Sequence, residues 1–369
     1  MNRVANQFRL VRRRRAAVVS GRSPLARGVT LMELMVAMLI LSILAAAVIG
    51  ATAAAMESAR VAKTKTMIAK IHTLLMERWE SYETRRADIN PNLLRLLDNA
   101  VASGALGLAE RGQIRADLEL LARRELMQVE MPDRWSDVLG ALPGDPTPSV
   151  PRALASYPAL RNIYLRRFDA AQAAAPNGAA VIDNQEAECL YLTVMYATGD
   201  GEARTLFSEL DVGDVDGDGA PEFLDGWGRP IRYLRWPAGF VGAGLSALCS
   251  GDADADHDPY DPFRRDDDAP IAPPALNRYP GTLAGLAAPL KDDSRAARLL
   301  PLVYSDGPDN DGDLFLANEA LIADPYVAYS SQGITARIGA PMRDLVEQGI
   351  DPSNDGGNWV DNLHNHLID

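Results

Sequence analysis

Cysteine and histidine are scarce, with two and four residues respectively among 369. That excludes cysteine-rich zinc modules and disulfide-dense small folds. Aromatic residues make up only 6%, yet 47% of the chain is hydrophobic and 24% is charged, the proportions of a globular protein and not of a disordered one. Acid is missing altogether from residues 1–28, which carry eight arginines: Arg3, Arg9, Arg12, Arg13, Arg14, Arg15, Arg22 and Arg27. The whole chain has 37 basic and 50 acidic side chains, a net charge of −13, and without those eight arginines the balance is 29 against 50, or −21. A body this acidic repels phosphates instead of releasing their counterions, so no nucleic-acid partner is expected. The sequence also lacks His-Glu-x-x-His, a glycine-rich phosphate loop followed by lysine, and Gly-x-Ser-x-Gly. No catalytic residue is assigned, and the chain is not read as an enzyme.

What the sequence does have is one long apolar run. Leu34 to Met56 are 23 consecutive uncharged residues, which as a helix span roughly 34 Å, enough to cross a bilayer. The arginines before it place the N-terminus in the cytoplasm and the residues after Met56 outside. No second run is of comparable length, so one crossing is the limit. A cleaved secretory signal has an apolar core of about 7–15 residues, shorter than this one. A plain signal anchor leaves Glu33 unexplained, because an ionised carboxylate at the edge of an apolar segment costs about a few kcal/mol unless paired. Proline is absent between Pro24 and Pro91, which predicts one helix from about Val29 to about Arg86, or two helices meeting around Ala51–Ala59. Its outer half is amphipathic, with Val61, Ile68, Ile71, Leu75, Trp79 and Tyr82 on one face and Lys63, Lys65, Lys70, Glu77 and Glu80 elsewhere.

The junction Gly28-Val29-Thr30-Leu31-Met32-Glu33, set between the basic segment and the apolar run, resembles the processing site of type IV prepilins and type II secretion pseudopilins. The resemblance implies that residues 1–28 are a leader removed by prepilin peptidase between Gly28 and Val29. It implies a methylated N-terminus at Val29, where phenylalanine is commoner, and makes Glu33 the fifth mature residue. In that family the glutamate pairs with the N-terminal amine of a neighbouring subunit as the filament stacks. Each charge would be costly alone in a filament core and tolerable when paired. The implied partners are prepilin peptidase, like and related pilin subunits, the inner-membrane assembly machinery and membrane lipid.

Beyond the helix, residues 87–140 are helical in character, most clearly at Leu93–Leu97 and Ile114–Val129. Prolines at 143, 146, 148, 151 and 158 mark 139–180 as irregular loop plus a short helix. This helical insertion, residues 87–200, is similar to the large minor pseudopilin more than to the compact major one. Residues 187–197 (AECLYLTVMYA) form a buried apolar segment of either type. From 201 to 369 the chain is rich in Gly and Asp, with strand-like pieces at Ile231–Trp236 and Leu299–Tyr304. Cys189 and Cys249 are either bridged, closing a loop of about 60 residues with a contribution on the order of 4 kcal/mol, or two buried free thiols.

The sharpest chemistry is at Asp214-Val215-Asp216-Gly217-Asp218-Gly219-Ala220-Pro221-Glu222-Phe223-Leu224-Asp225. Asp214, Asp216, Asp218, Glu222 and Asp225 fall at positions 1, 3, 5, 9 and 12 of a calcium-loop template, with Gly219 at position 6. Calcium takes about six to eight hard oxygens, and alternate residues of a tight turn point several carboxylates inward. Pro221 argues against a helix after the loop. The following Asp225-Gly226-Trp227-Gly228-Arg229-Pro230-Ile231-Arg232-Tyr233 resembles the D-P-W-G-x-P-Y-x-Y stretch of major pseudopilins with Gly226 in place of proline. Asp225 is therefore a ligand, a turn former, or both. Tyr304–Asp313 is similar to the calcium region of the same family, which implies Asp309, Asp311 and Asp313 as ligands. A third run, Asp252 to Asp261, lacks a glycine at the turn and is as readily a solvated loop as a metal site. His364 and His366, two apart, would share one side of a strand and cap the head.

Together these readings predict an α+β protein. A long N-terminal transmembrane helix packs on a globular head with a small antiparallel sheet, a helical insertion and one or two calcium ions. The expected protein is a structural subunit of a pseudopilus or type IV pilus-like filament in the inner membrane, supporting protein export. The alternative is a calcium-dependent surface-binding or adhesion protein that uses a pilin-type helix as its anchor.

Overall fold

The proline-free stretch forms one helix, α1 (Leu31–Thr84), with no break at Ala51–Ala59. The structure is a computed structural model, which describes residues 29–140, 153–174, 184–197, 203–240, 258–263, 299–308, 314–316, 329–331, 334–341 and 363–367. The chain divides into two compact units, Met1–Ala55 and Met56–Asp369. In the first, every described residue is exposed, including Leu34, Leu39, Ile43 and Ile49. This is a helix apolar on all sides, with a mean hydropathy of 2.7 over its most apolar stretch.

The second unit begins with the amphipathic half of α1. The face read from the spacing is the face that is buried: Ile68, Ile71, Leu75, Trp79 and Tyr82 are all in the core, and Val61 is half-buried. Against it pack α2 (Pro91–Ala102) and α3 (Leu108–Glu130), through Leu93, Leu97, Ile114, Leu118 and Leu121. α2 starts where it does because Asn90 accepts a hydrogen bond from Asn92 N (3.0 Å) and Pro91 occupies the first helical position, where no N–H is needed. α4 (Trp135–Leu139) and α5 (Ala159–Ala174) follow, the latter longer than the short helix expected there. α6 (Gln185–Leu192), which runs on into a π-helical turn Thr193–Ala197, settles the ambiguous apolar segment as helix. A last short helix, α7 (Ala203–Leu206), precedes the strands.

All strands are short and antiparallel. β1 (Val212–Gly213) pairs with β2 (Glu222–Phe223), β3 (Arg232–Leu234) with β4 (Leu302–Ser305), and β4 with β7 (Leu363–His364). β5 (Tyr329–Ser331) pairs with β6 (Ile334–Ala336). The small sheets and the helices thus make a mixed α/β unit, not a sheet head joined to a separate helical layer. One core cluster contains Phe223, Tyr233 and Val303 from strands beside Ile68, Leu97, Leu118 and Leu190 from helices.

Charged side chains are built into this core. Glu130, at the end of α3, accepts from Arg78, Arg85 and the Tyr82 hydroxyl. Arg235, fully buried, donates Nη1 to Met131 O (2.7 Å) and to Asp137 Oδ2 (2.8 Å), with Nη2 3.5 Å from Asp133 Oδ1. It thereby satisfies a backbone carbonyl just past the C-terminus of α3 with a cation, which the helix dipole favours. Burial alone would raise the Asp133 carboxyl, but Arg235 and Arg134 outweigh it and hold the group at about 2.

The turn after β2 is tied to α1 at closest range. Gly226 N donates to Thr64 Oγ1 (2.8 Å), and a Cβ on Gly226 would come within 2.6 Å of the Arg60 backbone. Gly226→Ala should therefore destabilise the protein by about 3 kcal/mol, because helix backbone has no slack to give. Urea unfolding reads this, and an unchanged midpoint would show that the close approach is absent in solution. Arg60 also explains why glycine replaces proline at this position of the Asp-Gly-Trp-Gly turn.

Candidate functional site

At the N-terminal end, Val29 and Thr30 precede α1, and Thr30 caps it: its Oγ1 accepts from Glu33 N at 3.2 Å. Glu33 is exposed in the first turn, where the positive end of the helix dipole favours a carboxylate. Four residues of Val29–Met32 thus separate a charged group from the scissile position assigned at Gly28, and the apolar surface begins directly after it. Gly28 and the leader lie outside the described residues.

The second site is the eight-residue loop between β1 and β2, residues 214–221. β1 and β2 pair Gly213 with Glu222, so the loop must close on itself. It does so around Asp214, whose Oδ1 accepts from Gly217 N (2.7 Å) and Oδ2 from Gly219 N (3.0 Å). Gly217 and Gly219 carry φ of 79° and 93°, which L side chains rarely adopt. Asp218 accepts from Ala220 N (2.7 Å), Asp216 from Asn184 Nδ2 (3.1 Å), and Glu222 from Val215 N (3.1 Å).

Four of the five loop acids read from the sequence come together, joined by one that was not. Asp214, Asp216 and Asp218 have carboxylate oxygens within 4.8 Å of one another, and so do Asp216, Glu222 and Glu188. Glu188 comes from α6, which packs on β2 and β3. Its Oε2 accepts from Trp135 Nε1, while its Oε1 has no hydrogen-bond donor; Asp218 Oδ2 and Glu222 Oε1 are likewise without one. Burial, then the negative charges of Asp218 and Asp216, pushes the Glu188 carboxyl up to about 9. Burial followed by Asp216, Asp214 and Asp218 pushes Glu222 up to about 8. Five carboxylates, three of them with a buried oxygen that has no donor and none joined by nitrogen or sulfur, form a donor set chemically suited to a hard divalent cation. The one signal for Glu188 in the sequence was an acid inside the apolar run 187–197, where an ionisable group needs a reason to be buried.

Asp225, at the last position of the loop template, is not part of this cluster. It is fully buried, its Oδ1 accepting from Trp227 N (2.8 Å) and Arg229 N (2.9 Å) and its Oδ2 from Ser305 Oγ (2.6 Å). The structure gives it the turn-forming role of the two left open: it holds the Asp225–Arg229 turn and fastens it to β4. Trp227 Nε1 in turn donates to Glu57 on α1 (3.1 Å).

Asp309, Asp311 and Asp313 lie outside the described residues. Just before them Asp306 is buried and paired with Arg232 (3.1 Å), and Arg229 donates to Gly307 O (2.6 Å). In the third acidic run, Asp258 is not a solvated loop residue but buried against Arg124 (3.1 Å), with Tyr260 donating its hydroxyl to Trp79 O (3.0 Å); Asp252, Asp254 and Asp256 lie outside the described residues. Cys189 is a free thiol sealed among Trp135, Tyr164 and Leu192. Cys249, the partner considered for a bridge, lies outside the described residues. His364 ends β7 and His366 sits in the 3-10 turn after it, so the two do not share one strand face. Burial, reinforced by His366, lowers the His364 ring to about 4, and burial, reinforced by His72, lowers the His366 ring to about 4.

A family model described as the prokaryotic N-terminal methylation motif matches residues 24–49. Neither a curated protein nor a solved structure matches the chain. The motif, together with the long apolar helix that follows it, fits a type IV pilin-like protein that prepilin peptidase processes. The motif's family is structural, it implies pilin assembly in general, and one apolar N-terminal helix is consistent with anchoring in a membrane.

Proposed function

We propose that the chain is a subunit of a pilus-like filament, either a type II secretion pseudopilus or a related type IV pilus, and that it supports protein export. It is inserted with the basic leader in the cytoplasm, cut between Gly28 and Val29, methylated, and drawn into the filament through the helix that starts at Val29. The methylation motif at 24–49, set on a helix that exposes apolar side chains on every face, is the observation that carries this reading. Cleavage would remove all eight leader arginines and create an α-amine four residues from Glu33. That amine is the natural partner for a neighbouring subunit's carboxylate in an apolar filament interior.

Mass spectrometry of the N-terminal peptide from membrane-extracted protein should give a mature start at methylated Val29, and an intact Met1 in assembled material would sink the proposal. Glu33→Ala should leave membrane insertion intact, since it makes the segment more apolar, but reduce sheared or cross-linked filament at least tenfold. Normal filament yield from that variant would reduce the helix to a mere anchor. We further propose that the loop 214–222 binds calcium. Its role is to hold the acidic β1–β2 hairpin closed once the subunit is outside the cytoplasm.

A further inference from the structure

The calcium reading of the loop leaves Glu188 unexplained. It belongs to a different element, it is 1% exposed, and it has an oxygen without a donor. Glu222 is 0% exposed and has one as well. An isolated ionised carboxylate in such a place is strongly unfavourable, and among the described residues the groups that meet these two are not cations: the Trp135 indole and the Asp218 carboxyl on Glu188, and the Val215 amide on Glu222. Arginine is used freely elsewhere in this core, on Glu130, Asp133, Asp137 and Asp258. Among the described residues no arginine is paired with Glu188 or Glu222, so their charge is left for something else to neutralise. Carboxylate oxygens of Glu188, Asp216 and Glu222 lie within 4.8 Å of one another, and Asp216 belongs also to the group with Asp214 and Asp218.

We infer that Glu188 of α6 is a ligand of the divalent cation bound by the loop, taking the closing role that the sequence template assigned to Asp225. The ion then joins three parts of the fold that are far apart in sequence: α6, the β1–β2 hairpin, and, through the indole of Trp135 on Glu188, α4. The inference rests on the calcium reading of the loop, which can hold without it. It also gives the cation a task beyond closing the loop, because α6 packs on β2 and β3, strands of two different sheets.

The test is carried out on full-length protein in detergent, with calcium as the probe and terbium as its luminescent substitute. Glu188→Gln keeps the shape and an acceptor for Trp135 while removing the charge. It should lower calcium affinity about 10- to 100-fold by calorimetry, in line with losing a charged ligand or its support. In chelator the same variant should melt no lower than wild type, since a buried charge has been removed. A merely structural Glu188 would instead melt lower and bind as before. Asp225→Asn should leave affinity within about twofold while lowering the melting temperature, because its bonds serve the turn. Terbium emission excited through tryptophan should be strong in wild type and lost in Trp135→Phe if the ion sits beside Glu188. Calcium binding abolished by Asp214→Asn but unchanged in Glu188→Gln would overturn the assignment of Glu188 and leave the loop reading standing. No calcium or terbium binding by wild type would overturn both.

Discussion

Replacing Arg235 by alanine is expected to cost about 3–5 kcal/mol, the penalty for breaking a buried ion pair by removing one partner. The side chain has no exposure at all. Its Nη1 serves Met131 O and Asp137, its Nη2 lies beside Asp133, and its guanidinium sits 4.2 Å from the Trp236 ring centroid. Alanine would leave Asp133 and Asp137 close together in the core with Arg134 as the remaining cation among the described residues, and would orphan a carbonyl just past the end of α3. Arg235→Met restores the volume but not the charge, so it should recover only the packing part of the loss. If instead Asp133 and Asp137 are changed to asparagine in the Arg235→Met background, most of the remaining deficit should disappear, because removing a buried charge set as a whole is close to neutral. Chemical unfolding of the single and combined variants measures this. Equal midpoints for wild type and Arg235→Ala would show that the network contributes nothing net.

That network was invisible in the sequence, and the contrast with α1 shows why. The buried face of α1 is written locally: residues three, four and seven apart share a helix face whatever the rest of the chain does, so Ile68, Ile71, Leu75, Trp79 and Tyr82 were legible from spacing alone. The processing junction was legible for a similar reason, being six consecutive residues beside an uninterrupted apolar run. The strands were not. At two to four residues each they are too short for an alternating pattern, and their pairing depends on partners such as Leu302, 68 positions beyond Leu234. The acidic loop lies between these cases. Its turn follows from Asp214, Gly217 and Gly219, but which acids face a common point is decided by what packs on the hairpin. Asp225 is claimed by Ser305, 80 residues later, and Glu188 is delivered by α6 from upstream. A template with regular spacing groups acids along the chain, whereas a packed fold brings them together across it.

With the cation removed by chelator, stability of the protein should fall as pH rises from 7 to 9. An unfolded glutamate ionises at about 4.3, whereas in the folded, cation-free state burial and neighbouring carboxylates hold Glu188 near 9 and Glu222 near 8. Between those limits the folded state keeps protons that the unfolded state has lost, so unfolding releases protons and is favoured by raising the pH. The loss is present only above the unfolded value and stops growing once the folded groups ionise. The histidines act in the opposite direction and elsewhere: His364 and His366, lowered to about 4, remove stability as pH falls below about 6.5. From pH 7 to 9 they are neutral in both states and drop out. The melting temperature in chelator should therefore decline across this window by on the order of 5 °C. On the proposed calcium reading, saturating calcium would replace the protons with an ion bound only by the folded loop, so it should raise the melting temperature at every pH and flatten the decline. Calcium affinity itself should rise with pH, because binding must displace those protons. A chelated protein whose melting temperature is constant or rises from pH 7 to 9 would mean that Glu188 and Glu222 are already ionised and compensated without a metal. Their buried, undonated oxygens would then have some other partner.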